Sequence, residues 1–511
     1  MEQNYKLKLF WLFFAVLLVG MEASLIWSIH SYGCATLPDS AAYLSMARSF
    51  YETGQLNLFD GSPSSMWPPL YSMTIGLLGV FGPVTPEGVP FIAGCIGLAV
   101  ILLACARAAL FVYQSWFARF SIVALTACST TIMMCMSGLL SEVIFIPALT
   151  IFLVTLFVPQ MEPGRRMAWL FCCAAVATLA RYTGVMLYLF AGGYYITLLA
   201  RPAYRSWRLF FRVLIAGALS CVPVVLMFTR NILSTGYLTG PATPVEYTVR
   251  QHLASGFDTL SQFLFPSFIP LWVRLASLGG LMLVMLGLAI HTLRQRDRRH
   301  ESRLFLLCVV WSTFYFLLTL LISQTRHTDV LDFRMLAPVH LPLWFMIVWL
   351  CDQLICSASK RRRWARIAGR LLLCFFLMVS LHRMVKRIRD TGRTGWGMYT
   401  CQSYANNDLV QWLREDPTDR VLFSNAHDVV YLLSQRQVFL LPVQNQAAIE
   451  AFRDRLARMK SPAYLVWFND FWRQYPATPT MLANAGLILV AEKEFSAGAT
   501  YRIELPESLG E

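Results

Sequence analysis

Residues Pro68-Pro-Leu-Tyr-Ser-Met-Thr-Ile-Gly-Leu-Leu-Gly-Val-Phe-Gly82 decide how this chain is threaded. The segment is apolar, yet only about a dozen residues lie between its prolines and its last glycine. At about 1.5 Å per helical residue it falls short of a hydrocarbon core about 30 Å thick. It therefore reads as an interfacial helix lying on the outer membrane surface. Counting it as a crossing would also carry the connectors at Arg165, Arg201 and Arg294 to the outer side, against the preference of Lys and Arg for the cytoplasmic side.

Outward from this segment, apolar runs of about 20 residues recur, and the 511-residue chain is 57% hydrophobic and only 14% charged. Spans are expected near 9–29, 89–113, 119–137, 140–159, 167–182, 184–200, 209–231, 269–291, 304–323, 335–354 and 366–384. This describes a polytopic α-helical membrane protein with about eleven transmembrane helices. The first run lacks a small-residue cleavage site and reads as a retained span. Lys6, Lys8 and the basic connectors 165–166, 201–212, 294–303 and 360–366 then share the cytoplasmic side with the N-terminus. The outer loop 30–88 carries Asp39, Glu52, Asp60 and Glu87 against the single basic residue Arg48.

Beyond Arg393 the chain becomes polar enough to be soluble. Strand-like runs (420–424, 438–441, 463–468, 486–490) alternate with helix-like ones (428–435, 447–460), which suggests a small α/β domain. The expected division is a transmembrane domain 1–394 with the outer loop 30–88, and a soluble domain 395–511 on the outer side.

The net charge of +14 does not point to nucleic acid, because the excess Arg and Lys sits in short connectors that orient helices. Most of the thirteen cysteines lie in apolar helices and act as small hydrophobes. No Cys-x-x-Cys or His-rich pattern suggests a metal site, while Cys34 and Cys401 lie outside the spans and are open to oxidation.

In this topology a group of polar residues collects on one face. Asp39 and Arg48 lie in Leu37-Pro-Asp-Ser-Ala-Ala-Tyr-Leu-Ser-Met-Ala-Arg48, Glu142 ends Ser137-Gly-Leu-Leu-Ser-Glu142, and Arg181 sits in Ala180-Arg-Tyr-Thr-Gly184. Arg230-Asn231 end a span, and Arg326, His327, Asp329, Asp332 and Arg334 fill a later loop. Guanidinium forks suit a phosphate carried on a lipid tail. A carboxylate at an apolar interface suits a general base towards a hydroxyl or amine. Bland readings stay open beside this one. Arg334 and Arg230 can snorkel to lipid headgroups, Glu142 can serve as a helix-terminus charge, and Asp39 can cap a helix.

The pattern Asp39-Ser-x-x-Tyr43 with Ala47-Arg48, then Gly54, Pro68-Pro69-Leu70-Tyr71, Ser141-Glu142, Arg181-Tyr-Thr-Gly184, Arg230-Asn231 with Gly236, and Arg334-Met-Leu-Ala-Pro338 resembles integral membrane glycosyltransferases of the GT-C fold. It is most similar to the bacterial branch related to protein O-mannosyltransferases and lipid A aminoarabinose transferases. The segment Val421-Leu-Phe-Ser-Asn-Ala-His-Asp-Val-Val-Tyr-Leu-Leu-Ser-Gln-Arg436 is similar to the start of their soluble C-terminal domain.

The resemblance implies an inverting transfer of a sugar from a polyprenyl-phosphate donor to an envelope lipid, polysaccharide or protein at the periplasmic face of a bacterial inner membrane. It makes Asp39 the principal catalytic carboxylate and Glu142 a second site carboxylate that supports acceptor or donor positioning. Arg334, Arg230, Arg181 and His327 would hold the donor phosphate, and Tyr43, Arg48 and Tyr71 would contact substrate. Two positions depart from the pattern. Ser40 replaces a carboxylate that many members carry, so the loop lacks a metal clamp and neither metal nor other cofactor is expected. Trp67 stands where some relatives have Lys. A transporter or flippase of a lipid-linked saccharide is the alternative, but such proteins place charges near the bilayer midplane and often show internal repeats, and this chain shows neither. An inactive scaffold of an envelope-glycan assembly is a third reading, against which the retained Asp39 argues.

Overall fold

The computed structural model describes residues 2–158, 161–241, 247–294, 300–325, 329–356, 363–416, 420–459, 461–469, 471 and 475–506. In chain order the first helices are α1 (Glu2–Ile29), α2 (Pro38–Thr53), α3 (Pro69–Leu78), α4 (Pro90–Val112), α5 (Trp116–Ala127), α6 (Thr130–Ser137), α7 (Glu142–Phe157) and α8 (Pro163–Ala180). There follow α9 (Val185–Leu199), α10 (Trp207–Thr235), α11 (Val249–Leu264), α12 (Leu271–Arg294), α13 (His300–Ser323), α14 (Phe333–Ile355) and α15 (Arg363–Thr394). The remainder runs α16 (Gln402–Ala405), α17 (Asp408–Glu415), β1 (Val421–Ser424), α18 (His427–Ser434), β2 (Val438–Leu440), α19 (Gln446–Ala457), β3 (Ala463–Phe468), α20 (Pro479–Asn484), β4 (Ile488–Phe495) and β5 (Gly498–Glu504). The protein is a multi-pass membrane protein with a small α/β part.

Among the described residues eight helices are long and apolar enough to cross a membrane, and α5 with α6, bent by 42° at a short break, makes a ninth if the two form one span. The two further helices of the expected eleven are α7, whose 16 residues reach about 24 Å, and α8, which opens on Arg165-Arg166. The segment 68–82 forms the short apolar helix α3 followed by one 3₁₀ turn, Gly79–Phe81.

Two compact units emerge. The first comprises Met1–Ser28, Ser65–Tyr71 and Phe91–Gly392. Its central helix is α14, 89% of whose apolar window is buried. Proline shapes that helix: Pro342 has no N–H to give the carbonyl four residues earlier, and the freed Pro338 carbonyl accepts the Trp311 indole N–H at 3.1 Å. Farther along, the fully buried Asp352 accepts the backbone N–H groups of Gln114 and Ser115 at 2.8 and 3.0 Å, which satisfies the turn between α4 and α5. The α5–α6 break is capped by Ser129, whose hydroxyl takes the Ile132 N–H and also meets His340 Nε2 at 2.7 Å.

The second unit gathers Ile29–Ser64, Ser72–Pro90 and Arg393–Glu511, so most of the loop 30–88 clusters with the C-terminal segment. Its five-stranded sheet has the order β2-β1-β3-β5-β4. β2 and β3 flank β1 in parallel, whereas β5 is antiparallel to β3 and β4 to β5. Phe423, Leu465, Ile449, Phe452 and Leu482 form its core. The expected strands and helices appear, and α16, α17, α20 and β5 lie outside the expected runs. The sequence of β5, Gly-Ala-Thr-Tyr-Arg-Ile-Glu, has too few apolar residues to stand out before its pairing with β3 is known.

Candidate active site

In the first unit the site begins at the entry to α7. Glu142 is the first residue of that helix and only 2% exposed, at the end where the helix dipole favours a negative charge. Its partner arrives through the tight turn that follows α8. Arg181 caps α8, Tyr182–Gly184 form a 3₁₀ turn, and α9 folds back. Gly184 permits this, because any Cβ there would clash with the backbone of Ala177 and Thr178. The turn delivers the Arg181 guanidinium to the Glu142 carboxylate, and the two form an ion pair. Arg181 keeps 25% of its side chain exposed.

A second basic group stands at the start of α14. Asp332 caps that helix by accepting the Arg334 and Met335 N–H groups, each at 3.0 Å, and takes the Arg334 Nε–H on its other oxygen at 3.1 Å. Asp329 adds a 3.5 Å contact, and the Arg334 side chain is 14% exposed. The two groups share one locality, since Glu142, Asp332, Arg181 and Arg334 all lie within electrostatic reach of the Cys135 thiol. Tyr315, 2% exposed, lies within reach of Glu142 and Arg181. No sequence signal had marked Cys135 or Tyr315.

The Arg181–Tyr182 step also leads to the third basic group. The Tyr182 hydroxyl donates to the Ser65 carbonyl at 2.6 Å and receives the Asn231 Nδ2–H at 2.9 Å. Asn231, 1% exposed, further donates to the Leu238 carbonyl and accepts from Arg230 at 3.2 Å. Thr235, one turn on, donates to Ser65 Oγ at 2.8 Å. Of the sequence-derived residues in this unit, then, Glu142, Arg181 and Arg334 are brought together, and Arg230 is joined through Tyr182 and Asn231. Tyr71 on α3 is fully buried. His327 lies outside the described residues.

In the second unit Asp39 occupies the first turn of α2, half-buried, behind Pro38 at the first helical position. Ser40 Oγ accepts the Leu37 N–H at 2.9 Å, so the serine that replaces a carboxylate here closes the start of the helix. Tyr43 follows one turn later, 6% exposed, and its carbonyl accepts the Ser72 hydroxyl at 3.0 Å. Arg48 donates from Nε to the Val84 carbonyl at 2.7 Å and lies 5.1 Å from the Tyr431 ring centre. Phe59 packs at 5.0 Å from His427 and 5.5 Å from Tyr431. The helix that carries Asp39 is thereby moored to α18 of the C-terminal sheet region. Among the described residues no group of three or more His, Cys, Asp or Glu is arranged to hold a metal ion.

Chemically, the first-unit cluster offers partly buried guanidinium groups held by carboxylates in fixed orientation, with Arg230 as a further positive charge. No family model and no curated protein matches the chain in sequence. Solved structures do match in fold. ArnT from Cupriavidus metallidurans, in the apo state, superposes with a TM-score of 0.60 at 13% identity over 98% of both chains. The same protein bound to undecaprenyl phosphate gives 0.57 at 14% identity, again over 98% of both. The archaeal oligosaccharyltransferase AglB from Archaeoglobus fulgidus, in complex with an inhibitory peptide and a dolichol-phosphate, gives 0.53 at 10% identity over 89% of this chain and 69% of that one. The mycobacterial arabinofuranosyltransferase AftD gives 0.57 at 16% identity over 97% of this chain and 40% of that one. The chain has the GT-C fold of these membrane glycosyltransferases.

Proposed function

We propose that the protein is a glycosyltransferase that moves a sugar from a polyprenyl-phosphate donor to an envelope lipid, glycan or protein at the periplasmic face of a bacterial inner membrane. The observation that carries this reading is the grouping of Glu142–Arg181 with Arg334 in one buried locality of a GT-C fold.

In the proposed reaction Asp39 accepts the proton of the acceptor hydroxyl or amine as that atom attacks the anomeric carbon. The bond from the anomeric carbon to the phosphate oxygen breaks, its electron pair leaves with the lipid phosphate, and the configuration at carbon inverts. Arg334, Arg181 and Arg230 face the charge that grows on the departing phosphate, which is where fixed donors give most catalysis. Glu142 acts by holding Arg181 in place. Ordered guanidinium groups in a partly dry site lose little entropy when phosphate arrives, and this favours Arg over Lys.

The test is incubation of the purified protein with a panel of polyprenyl-phosphate sugars and candidate acceptors, with release of the lipid phosphate as readout. Acceptor-dependent release that disappears in Asp39→Asn supports the transferase. Movement of the intact lipid-linked sugar across a vesicle membrane without phosphate release would establish the flippase instead.

A further inference from the structure

At the far ends of α7 and α8 from Glu142 and Arg181, the first unit contains a cavity of about 400 Å³. Its walls come from the C-terminal ends of α7 and α9, the N-terminal ends of α8 and α13, and the turn before α10. The polar side consists of Arg166, Arg201, Tyr194, Tyr204 and Thr197, whereas Leu198, Leu307 and Val310 line the apolar side. Among the described residues no acidic one contributes to the lining. Val310 is 54% exposed, so the cavity is reachable from the apolar flank of the helices.

Its inner limit follows from helix geometry. One turn beyond Leu156, Tyr194 and Leu307 along their helices stand Phe152, Phe190 and Trp311, and these rings meet: Phe152 lies 6.5 Å and Phe190 5.4 Å from Trp311. The recess therefore has this aromatic cluster one helical turn beyond its lining and a cationic rim. Arg166 is fixed at that rim, with Nη1 donating to the Tyr194 hydroxyl at 2.8 Å and Nη2 to the Val158 carbonyl. Its Nε–H is buried and has no partner among the described residues. A buried donor without an acceptor is rare and calls for one.

From the charge and the shape we infer that this recess binds an anionic phospholipid of the leaflet opposite the candidate active site. The phosphate sits between Arg166 and Arg201 with Tyr194 and Tyr204 beside it, and the first methylenes of an acyl chain run along Leu198, Leu307 and Val310. A cavity of this volume is in the usual range for small-ligand sites and takes a headgroup with the upper part of one chain. Basic residues at the end of apolar helices are suited to anionic lipid headgroups. The inference does not depend on the proposed reaction.

The experiment uses the purified full-length chain in detergent and measures binding of phosphatidylglycerol, phosphatidylcholine and inorganic phosphate by native mass spectrometry and fluorescence competition. Phosphatidylglycerol should bind the wild type in preference to phosphatidylcholine. Arg166→Gln and Arg201→Gln should each weaken that binding by at least roughly tenfold, a change of about 1.4 kcal/mol. Leu307→Trp, which fills the apolar side and leaves both arginines, should weaken it as well and keeps the test decisive if Arg166→Gln does not fold. Arg208→Gln, an exposed arginine of α10 outside the lining, should bind like the wild type. Equal binding of the two lipids, phosphatidylglycerol binding unaffected by Arg201→Gln and Leu307→Trp, or inorganic phosphate binding as tightly as the lipid would each overturn the inference.

Discussion

Glu142 at the first residue of α7 and Arg181 at the end of α8, 39 residues apart in the chain, form an ion pair whose carboxylate is 2% exposed. Removing one member of such a pair strands the other charge in a poorly solvated place. We expect Arg181→Met to destabilise the first unit by about 3 kcal/mol, the low end for a broken buried pair because the guanidinium is partly exposed. Glu142→Gln combined with Arg181→Met should recover most of that loss and yet remain inactive in transfer. Thermal unfolding in detergent, read beside activity, separates the two effects.

Asp39→Asn keeps the shape of the first turn of α2, and Ser40 still receives the Leu37 N–H. Expression and unfolding temperature should match the wild type, while transfer falls by about 10²- to 10⁴-fold, the usual contribution of a general base. Wild-type turnover in this variant removes Asp39 from the mechanism.

Arg334 already has Asp332 and Asp329 as partners, so its guanidinium is oriented before any substrate arrives. Arg334→Ala should weaken use of the donor by roughly 1.5–3 kcal/mol, the range for a hydrogen bond to a charged group. Lys should restore only part of this, since an ammonium cannot offer a planar fork. If the arginine serves only lipid headgroups, donor dependence will be the same in the wild type, Ala and Lys forms.

Cys34 and Cys401 should behave differently. Burial first, and the Glu87 charge second, push the Cys34 thiol from 9.0 up to about 12, while Cys401 is only half-buried. Because the thiolate is the reactive form, a hydrophilic thiol reagent near neutral pH should modify Cys401 and spare Cys34. Linkage has a definite sign here. A raised folded-state pKa means that this stabilisation is complete below about 9 and is lost as pH rises towards 12. Unfolding followed between those values should therefore show less alkaline sensitivity in Cys34→Ala.

Much of the fold was legible because hydropathy and local pattern belong to single segments. Every run proposed as a span is helical for most of its length, 119–137 being divided between α5 and α6, and β1, β2 and β3 lie on the strand-like runs while β4 begins within the run 486–490 and extends to Phe495. The shortness of the 68–82 segment was equally readable, and α3 is short. The site was legible only in part. Arg181 and Glu142 stood out as charges at the ends of apolar runs, but nothing in their neighbours names one as the partner of the other. Tyr182, Asn231 and Ser65 form their hydrogen bonds across separations that no local period encodes. Tyr315 is an ordinary aromatic residue of an apolar helix until packing places it near two charges.

By itself, then, the sequence determined which stretches are helical and apolar, and which charges stand at their ends. The reason is that a membrane leaves a 20-residue apolar run few alternatives to a helix. Tertiary structure alone decided which of those charges meet. It set Arg181 on Glu142 through a glycine turn, gave Arg334 its orientation through the Asp332 cap, and moored the Asp39 helix to α18 through Arg48 and Phe59. It also left the recess between α7, α9 and α13 unfilled. Pairing and voids depend on how separate helices pack in three dimensions, and that information is spread over the whole chain.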